Sequence, residues 1–302
     1  MIDTLIHVSL LLAMPPLLLG VINKTKAWFA GRAGPPVLQT YYDLAKLFRK
    51  GLVISETTTW IFLAAPVVTL AAVFSAGLLA PLANFDAPVG FTGDLILFVY
   101  LLGLARFFTT AAALDTGSAF EGMGAAREVT FACLSEPALF FALLVMAKAS
   151  GALNLTDMLH GPEGGFAMSA FAPLVCVAIG LFIVLLAETC RVPVDDPNTH
   201  LELTMIHEVM ALDHSGPLLG AILYAASIKL FVLGAVLLHV IAPFHLQPVW
   251  LNWPLFVLEM LALSVVIGVV ESTRARLSMP LVPLLLVAAM LFCGFGFLLM
   301  VR

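Results

Sequence analysis

Charged residues are scarce in this sequence: 14 Lys and Arg with 19 Asp and Glu make up 11 % of 302 residues, where a soluble domain needs about 25 % to cover its surface. With 62 % of its residues hydrophobic, the chain has lipid as its main solvent. Basic runs are missing too, and a net charge of -5 without a Lys/Arg stripe excludes the electrostatic footprint of a nucleic-acid partner. Cysteines are few and scattered. Cys133, Cys176, Cys190 and Cys293 form no Cys-x-x-Cys pair, which excludes a structural zinc site or an iron-sulfur cluster in this chain and assigns any redox metal to a partner. Gly122-Met123-Gly124-Ala125-Ala126 lacks both the third glycine and the preceding strand of a nucleotide loop. No internal repeat marks the inverted halves of a self-contained secondary transporter, and no nucleophile constellation stands out.

Long apolar runs are what the chain has in abundance. A spanning helix needs about 20 mostly apolar residues, because each adds about 1.5 Å across about 30 Å of hydrocarbon. Eight stretches qualify, near 2–22, 60–82, 94–114, 129–150, 171–188, 217–241, 252–270 and 281–301. The fold class is therefore all-α, a polytopic membrane protein with about eight spans and one integral domain over 1–302. Met1-Ile2-Asp3 offers no basic region before the first span, so that span is expected to remain in the mature protein.

Basic residues in short loops stay on the cytoplasmic side. Lys24, Lys26, Arg32, Lys46, Arg49, Lys50, Arg127, Arg191, Arg274 and Arg276 fall in one set of alternate loops, ten of fourteen basic residues. Lys148 and Arg302 fall on the other side, together with loops 83–93, 151–170 and 242–251, which carry none. Both termini are accordingly expected outside, with the two long connections, 23–59 and 189–216, inside. Within the first of these, Leu44, Leu47 and Phe48 form an apolar stripe with Lys46, Arg49 and Lys50 off it, the pattern of an amphipathic helix lying at the interface.

An ionisable residue at mid-helix costs about 2.5–3.5 kcal/mol on insertion scales, so each needs a partner or a role. Arg106 lies eight residues from the cytoplasmic end of the third span and Glu136 seven from that end of the fourth. Lys229 lies twelve residues into the sixth span and Glu259 eleven from the cytoplasmic end of the seventh. Matched depth pairs Arg106 with Glu136 and Lys229 with Glu259. Two readings stand: static pairs that fix helix register, or protonatable groups that carry protons through the membrane.

The densest polar feature is 188–213, where Glu188, Asp195, Asp196, Glu202, Glu208 and Asp213 put six carboxylates in 26 residues. A solvated loop, a docking surface or a proton-collecting rim would all look like this. Like charges at short range do not all ionise cheaply, so at least one carboxylate is expected to be held neutral, with Arg127 and Arg191 the nearest cations for Glu188, Asp195 and Glu202. His200, His207 and His214 recur every seven residues, not the three or four that put metal ligands on one helix face.

Three segments resemble one known family: the membrane subunit of respiratory complex I that borders the quinone chamber, the subunit 1 family, with its counterparts in energy-converting nickel-iron hydrogenases. They are Gly31-Arg32-Ala33-Gly34-Pro35-Pro36-Val37-Leu38-Gln39 running to Asp43, Lys46 and Leu47; Ser118, Phe120, Gly124, Ala125, Arg127 and Glu136; and Ala187-Glu188-Thr189, Arg191, Pro193, Asp195, Pro197, Glu202-Leu203 and Ser215-Gly216. The quinone-reducing branch carries extra acidic residues where this chain has Asn198, Thr199 and His200, and Pro197-Asn198-Thr199-His200-Leu201-Glu202-Leu203 looks like the hydrogenase-4 and formate hydrogenlyase branch. The resemblance implies a non-catalytic subunit of an inner-membrane oxidoreductase complex. Such a subunit links electron transfer in a soluble nickel-iron hydrogenase arm to proton or sodium translocation.

Its implied partners are the soluble hydrogenase large and small subunits, antiporter-like membrane subunits and the bilayer. No cofactor is expected in this chain; the nickel-iron centre and iron-sulfur clusters would sit in partners, and a quinone is possible. Proton-coupling candidates are Glu136, Glu188, Asp195, Glu202, Lys229 and Glu259, and loop-docking candidates are Arg32, Asp43, Lys46, Arg127 and Arg191. The alternative is the quinone-chamber subunit of an NADH-quinone oxidoreductase, with a cavity among loops 23–59, 115–128 and 188–216; a secondary transporter is the rival from another class.

Overall fold

The computed structural model describes residues 2–161, 170–195, 205–242 and 246–301. Its helices are α1 (Ile2–Phe29), α2 (Gln39–Arg49), α3 (Trp60–Leu79), α4 (Asp94–Asp115), α5 (Ala119–Ser150), α6 (Leu155–His160), α7 (Phe171–Glu188), α8 (Gly216–Ile241), α9 (Asn252–Thr273) and α10 (Val282–Val301). All but α2 and α6 are long and apolar enough to cross a membrane, so the eight-span, all-α architecture stands. Among the described residues there is no β-strand. The largest boundary difference is in the fourth span, which begins at Ala119 and not near 129. Glu121 and Glu128 precede the apolar run at 129–150, yet both belong to α5 and are buried.

α8 is the axis of the bundle, buried along most of Ser227–Val240 and packed against α1, α2, α3, α6, α7 and α9. Lipid supplies no hydrophobic drive between helices, so close backbone approach at small residues matters most. At Gly20 the chain before α2 crosses α1 so tightly that a Cβ would collide with the Val37 carbonyl oxygen. That crossing lays α2 against α8, with Leu44 buried and Gly220 against Leu47 and Phe48.

Proline within a helix leaves the carbonyl four residues earlier without its donor, and in a membrane another group must replace it. Pro16 frees the Leu12 carbonyl, to which Tyr224 Oη of α8 donates at 2.7 Å. Pro66 frees the Phe62 carbonyl, and His214 Nε2 lies 3.4 Å from it while its ring stacks on Phe62 at 3.9 Å. These prolines thus create acceptors that tie α8 and the 205–214 segment to α1 and α3.

Candidate functional site

Arg106 of α4 is the hub of a buried ionic cluster. Its Nε donates to Glu128 Oε1 at 3.0 Å, its Nη1 to Glu136, and its Nη2 to both carboxylate oxygens of Glu188. A guanidinium suits this role, because its planar fork of donors serves several carboxylates at once. Glu188 also accepts from Ser135 Oγ at 2.6 Å and pairs with Lys229 Nζ at 2.6 Å. On the far side of Glu128, His207 Nε2 lies 3.2 Å from Oε2, an ion-pair distance without hydrogen-bond alignment. Three carboxylates therefore face two permanent cations, and a protonated His207 makes the cluster neutral.

Burial works against a charge on His207, while the Cys190 sulfur and the Glu128 carboxylate work for it, and the balance lifts its pKa well above the ordinary histidine value. Burial, with the Asp195 and Glu128 carboxylates nearby, pushes the neighbouring Cys190 thiol up, against a lowering contribution from His207. The backbone holds this pair in place. Asp195 accepts from the amides of Ile206 at 3.1 Å and His207 at 3.4 Å, Arg127 Nη1 donates to the Met205 carbonyl at 2.9 Å, and Glu121 accepts from the Asp213 amide at 3.0 Å. α7 ends in a Schellman-type turn, with Arg191 N donating to Leu186 O at 2.8 Å and Cys190 at a φ of 57°.

His214 shows the opposite titration, burial lowering its pKa against the Phe62 carbonyl and Asp213. The two histidines give opposite pH dependences. A raised value means that His207 contributes stability fully below pH about 6.5 and loses it as pH rises through the folded value. A lowered value means that His214 contributes above about 6.5 and loses it as pH falls. Thermal unfolding of the full chain in detergent, followed from acid to alkaline pH, is expected to lose the alkaline-side decline in His207→Gln and keep the acid-side one. An undiminished alkaline decline in that variant would remove His207 from the charge balance.

The residues singled out in the sequence divide into groups. Glu136, Glu188 and Lys229 converge on Arg106, but Lys229 pairs with Glu188 and not with Glu259. Gly234 of α8 packs against Met260 and Leu263, which sets Glu259 level with the far end of α8, where it shares a cavity with Leu238 and His239. Depth counting missed this because it ignores helix rotation and stagger. Asp195 pairs with Arg276 at 2.9 Å, and Arg191 pairs at 3.2 Å with Glu271, which Lys26 also meets at 2.7 Å. Arg127 and Arg191 are thus not the cations that hold Glu188 and Asp195; Arg106, Lys229 and Arg276 are. Glu188 and Asp195 each face a cation, so the crowding of like charges expected in 188–213 does not arise at these two. Glu202 lies outside the described residues, as do Asp196 and His200. Arg32, Asp43 and Lys46 are exposed, Asp43 accepting from Gln39 Nε2 at 2.9 Å.

Glu128, Ser135, Glu271 and Arg276 were not singled out in the sequence. A signal for the first two existed: Glu121, Glu128 and Ser135 recur every seven residues, one buried stripe of α5. Among the described residues no group of three His, Cys, Asp or Glu is placed to hold a metal.

A cavity of about 650 Å³ opens above the cluster. Its polar floor includes Arg106, Glu128, Glu188, His207 and Lys229, and its walls are apolar, with Leu19, Leu44, Leu47, Leu219, Ile222 and Leu223. Parts of the 23–59 and 188–216 connections form its rim, Asp43 and Cys190 among them.

The family model described as NADH dehydrogenase matches residues 2–301. Formate hydrogenlyase subunit 4 of Escherichia coli (strain K12) is 30 % identical over 303 positions, covering 97 % of this chain and 94 % of that protein. Hydrogenase-4 component C of the same strain is 29 % identical over 281 positions, covering 91 % and 88 %. A chain of the membrane-bound sulfane sulfur reductase, an archaeal respiratory membrane complex, shares the fold with a TM-score of 0.84 over 99 % of this chain and 98 % of that one, at 19 % identity.

Proposed function

The chain belongs to the NADH dehydrogenase family, and from that premise we propose that it is the membrane-anchoring and energy-coupling subunit of a multisubunit hydrogenase. It holds a soluble nickel-iron hydrogenase arm against the face built by 23–59 and 189–216. It links electron transfer in that arm to proton or sodium movement in neighbouring antiporter-like subunits. The nickel-iron centre and the iron-sulfur clusters belong to those partners. In this reading the protein lies in the cell inner membrane with both termini on the non-cytoplasmic side, following the ten-to-two asymmetry of basic residues between loops.

The observation that carries the proposal is the Arg106 cluster directly beneath the 205–214 segment. A change in electric field or position at the docked arm acts first on His207 and Glu128, and through Arg106 on Glu188 and Lys229. Arg32, Asp43 and Lys46, exposed on the 23–59 connection, suit docking, whereas Arg191, buried and paired with Glu271, and Arg127, bonded to the Met205 carbonyl, suit bracing the chain inside it. Glu136, Glu188 and Lys229 suit proton movement, and Asp195 suits positioning of the His207 backbone.

The cavity favours a second reading, the quinone-chamber subunit of an NADH-quinone oxidoreductase. Its 650 Å³ volume falls in the range of small-molecule sites, about 300–1,000 Å³, and it has an apolar wall and a polar floor. Purification of the tagged chain in mild detergent separates the two. Copurified nickel with hydrogen-evolving activity is expected; flavin, NADH oxidation and bound quinone would replace the first reading by the second.

A further inference from the structure

The spans α7 and α10 cross at backbone contact. A Cβ at Gly180 of α7 would lie 3.0 Å from the Ala289 carbonyl oxygen of α10, and a Cβ at Gly296 of α10 would lie 3.1 Å from the Pro173 carbonyl oxygen of α7. Small residues allow such closeness between helices in lipid. The two contacts also fix an antiparallel register, with Pro173 opposite Gly296 and Gly180 opposite Ala289. Cys176 is three residues after Pro173 and four before Gly180, while Cys293 is three before Gly296 and four after Ala289. Residues three and four apart share a helix face, so the register sets the two cysteines opposite each other, each on the face that its helix turns to the other.

The side chains agree with this register. The Cys293 sulfur would lie 2.3 Å from a Cβ at Gly180, and the Cys176 Cβ would lie 3.5 Å from a Cβ at Gly296. The two thiols are close enough to act on each other electrostatically. A disulfide spans about 4.4–6.8 Å between α-carbons, a separation that packed helices reach where their backbones touch, as these do on both sides of the pair. Both cysteines are free thiols, Cys293 fully buried and Cys176 half-buried. Cys190 lies beyond the other end of α7, and Cys133 is exposed on α5.

We propose that Cys176 and Cys293 are a reversible dithiol–disulfide site that clasps α7 to α10, with a membrane-permeant disulfide as its class of oxidant. Cys176, the less buried sulfur, reacts first: its S–H bond breaks, it bonds one sulfur of the oxidant, and the other sulfur leaves as a thiol with that proton. Cys293 then attacks the Cys176 sulfur and gives its proton to the second leaving thiol. Two S–H bonds are lost, one S–S bond joins the helices, and the oxidant is reduced to two thiols. α10 packs chiefly on α5 and α7, so the closed bond fixes the register of α7, whose other end carries Glu188. The site lies wholly within this chain, whichever arm docks on it.

The test treats the full chain in lipid nanodiscs with dithiodipyridine, a membrane-permeant disulfide. After unfolding and alkylation of the remaining thiols, peptide mass spectrometry is expected to find Cys176 joined to Cys293, with the loss of two hydrogens from the pair and recovery of both thiols on reduction. Cys293→Ser is expected to retain the reagent on Cys176 as a mixed disulfide, because the thiol that would displace it is gone. Oxidation is expected to raise the unfolding temperature of the wild type and to leave that of Cys293→Ser unchanged. Separate mixed disulfides on Cys176 and Cys293 in the wild type, or two thiols that stay reduced, would overturn the proposal, and either is what small residues present only for packing would give. The wild-type result decides the matter even if the variant fails to fold.

Discussion

Replacing Arg106 by Met is expected to abolish accumulation of the folded chain. The substitution keeps an apolar stem of similar length and removes the guanidinium that serves Glu128, Glu136 and Glu188 together. Removing one partner of a buried ion pair costs about 3–5 kcal/mol, because the charge left behind is uncompensated. Whole domains have only about 5–15 kcal/mol of stability, and here three carboxylates lose their hub. Glu136, with 43 % of its side chain exposed, is partly solvated and contributes least to that cost. Glu128 and Glu188, at 8 % and 7 %, contribute most. Pairing Arg106→Met with Glu188→Gln is expected to restore part of the loss, and a double-mutant cycle on the yield and unfolding temperature of the detergent-purified chain measures how much. Full yield of Arg106→Met with an unchanged unfolding temperature would mean that the cluster is not held together as described.

Glu188→Gln is expected to have the opposite profile, a nearly normal protein with a large functional defect. The amide keeps the shape and the Ser135 contact, but it deletes a charge between Arg106 and Lys229. The cluster has its own means of adjustment. With one carboxylate gone, His207 restores neutrality by losing its proton, so assembly and the artificial-dye activity of the soluble arm are expected to persist. What disappears is the negative charge that joins Arg106 to Lys229 between the loop and the interior of α8. Under the proposal that ion movement passes through this pair, ion-linked turnover is expected to fall by about 100-fold or more, since positioned proton-transfer groups contribute about 10²–10⁴-fold to rate. Lys229→Met removes the next group along and is expected to share the phenotype.

The sequence made the spans legible because lipid exposure and helix length impose a simple periodic demand on composition. All eight appear, and the short amphipathic segment around Leu44 and Leu47 appears as α2. Arg106 with Glu136 was legible by depth for the same reason. Lys229 with Glu259 was not, since depth fixes only one coordinate, and the rotation and stagger of α8 turn Lys229 toward Glu188. Glu128 escaped notice because it precedes the apolar run that defined the fourth span, although its seven-residue spacing from Glu121 and Ser135 marked a buried stripe. His207 looked like part of a histidine repeat, yet its role comes from burial beside Glu128 and Cys190, which no local pattern encodes. The freed carbonyls at Pro16 and Pro66 follow directly from sequence, but their donors, Tyr224 and His214, lie far away in the chain.

The most direct test of the coupling role is to follow physiological turnover and ion movement together in sealed vesicles that carry the intact complex, with a pH or sodium probe inside. Glu188→Gln is predicted to assemble, to retain dye-linked activity, and to lose ion movement along with the turnover that depends on it. Wild-type ion movement in Glu188→Gln vesicles, at wild-type turnover, would contradict the account and reduce the Arg106 cluster to a fixed structural element that anchors the loop above it.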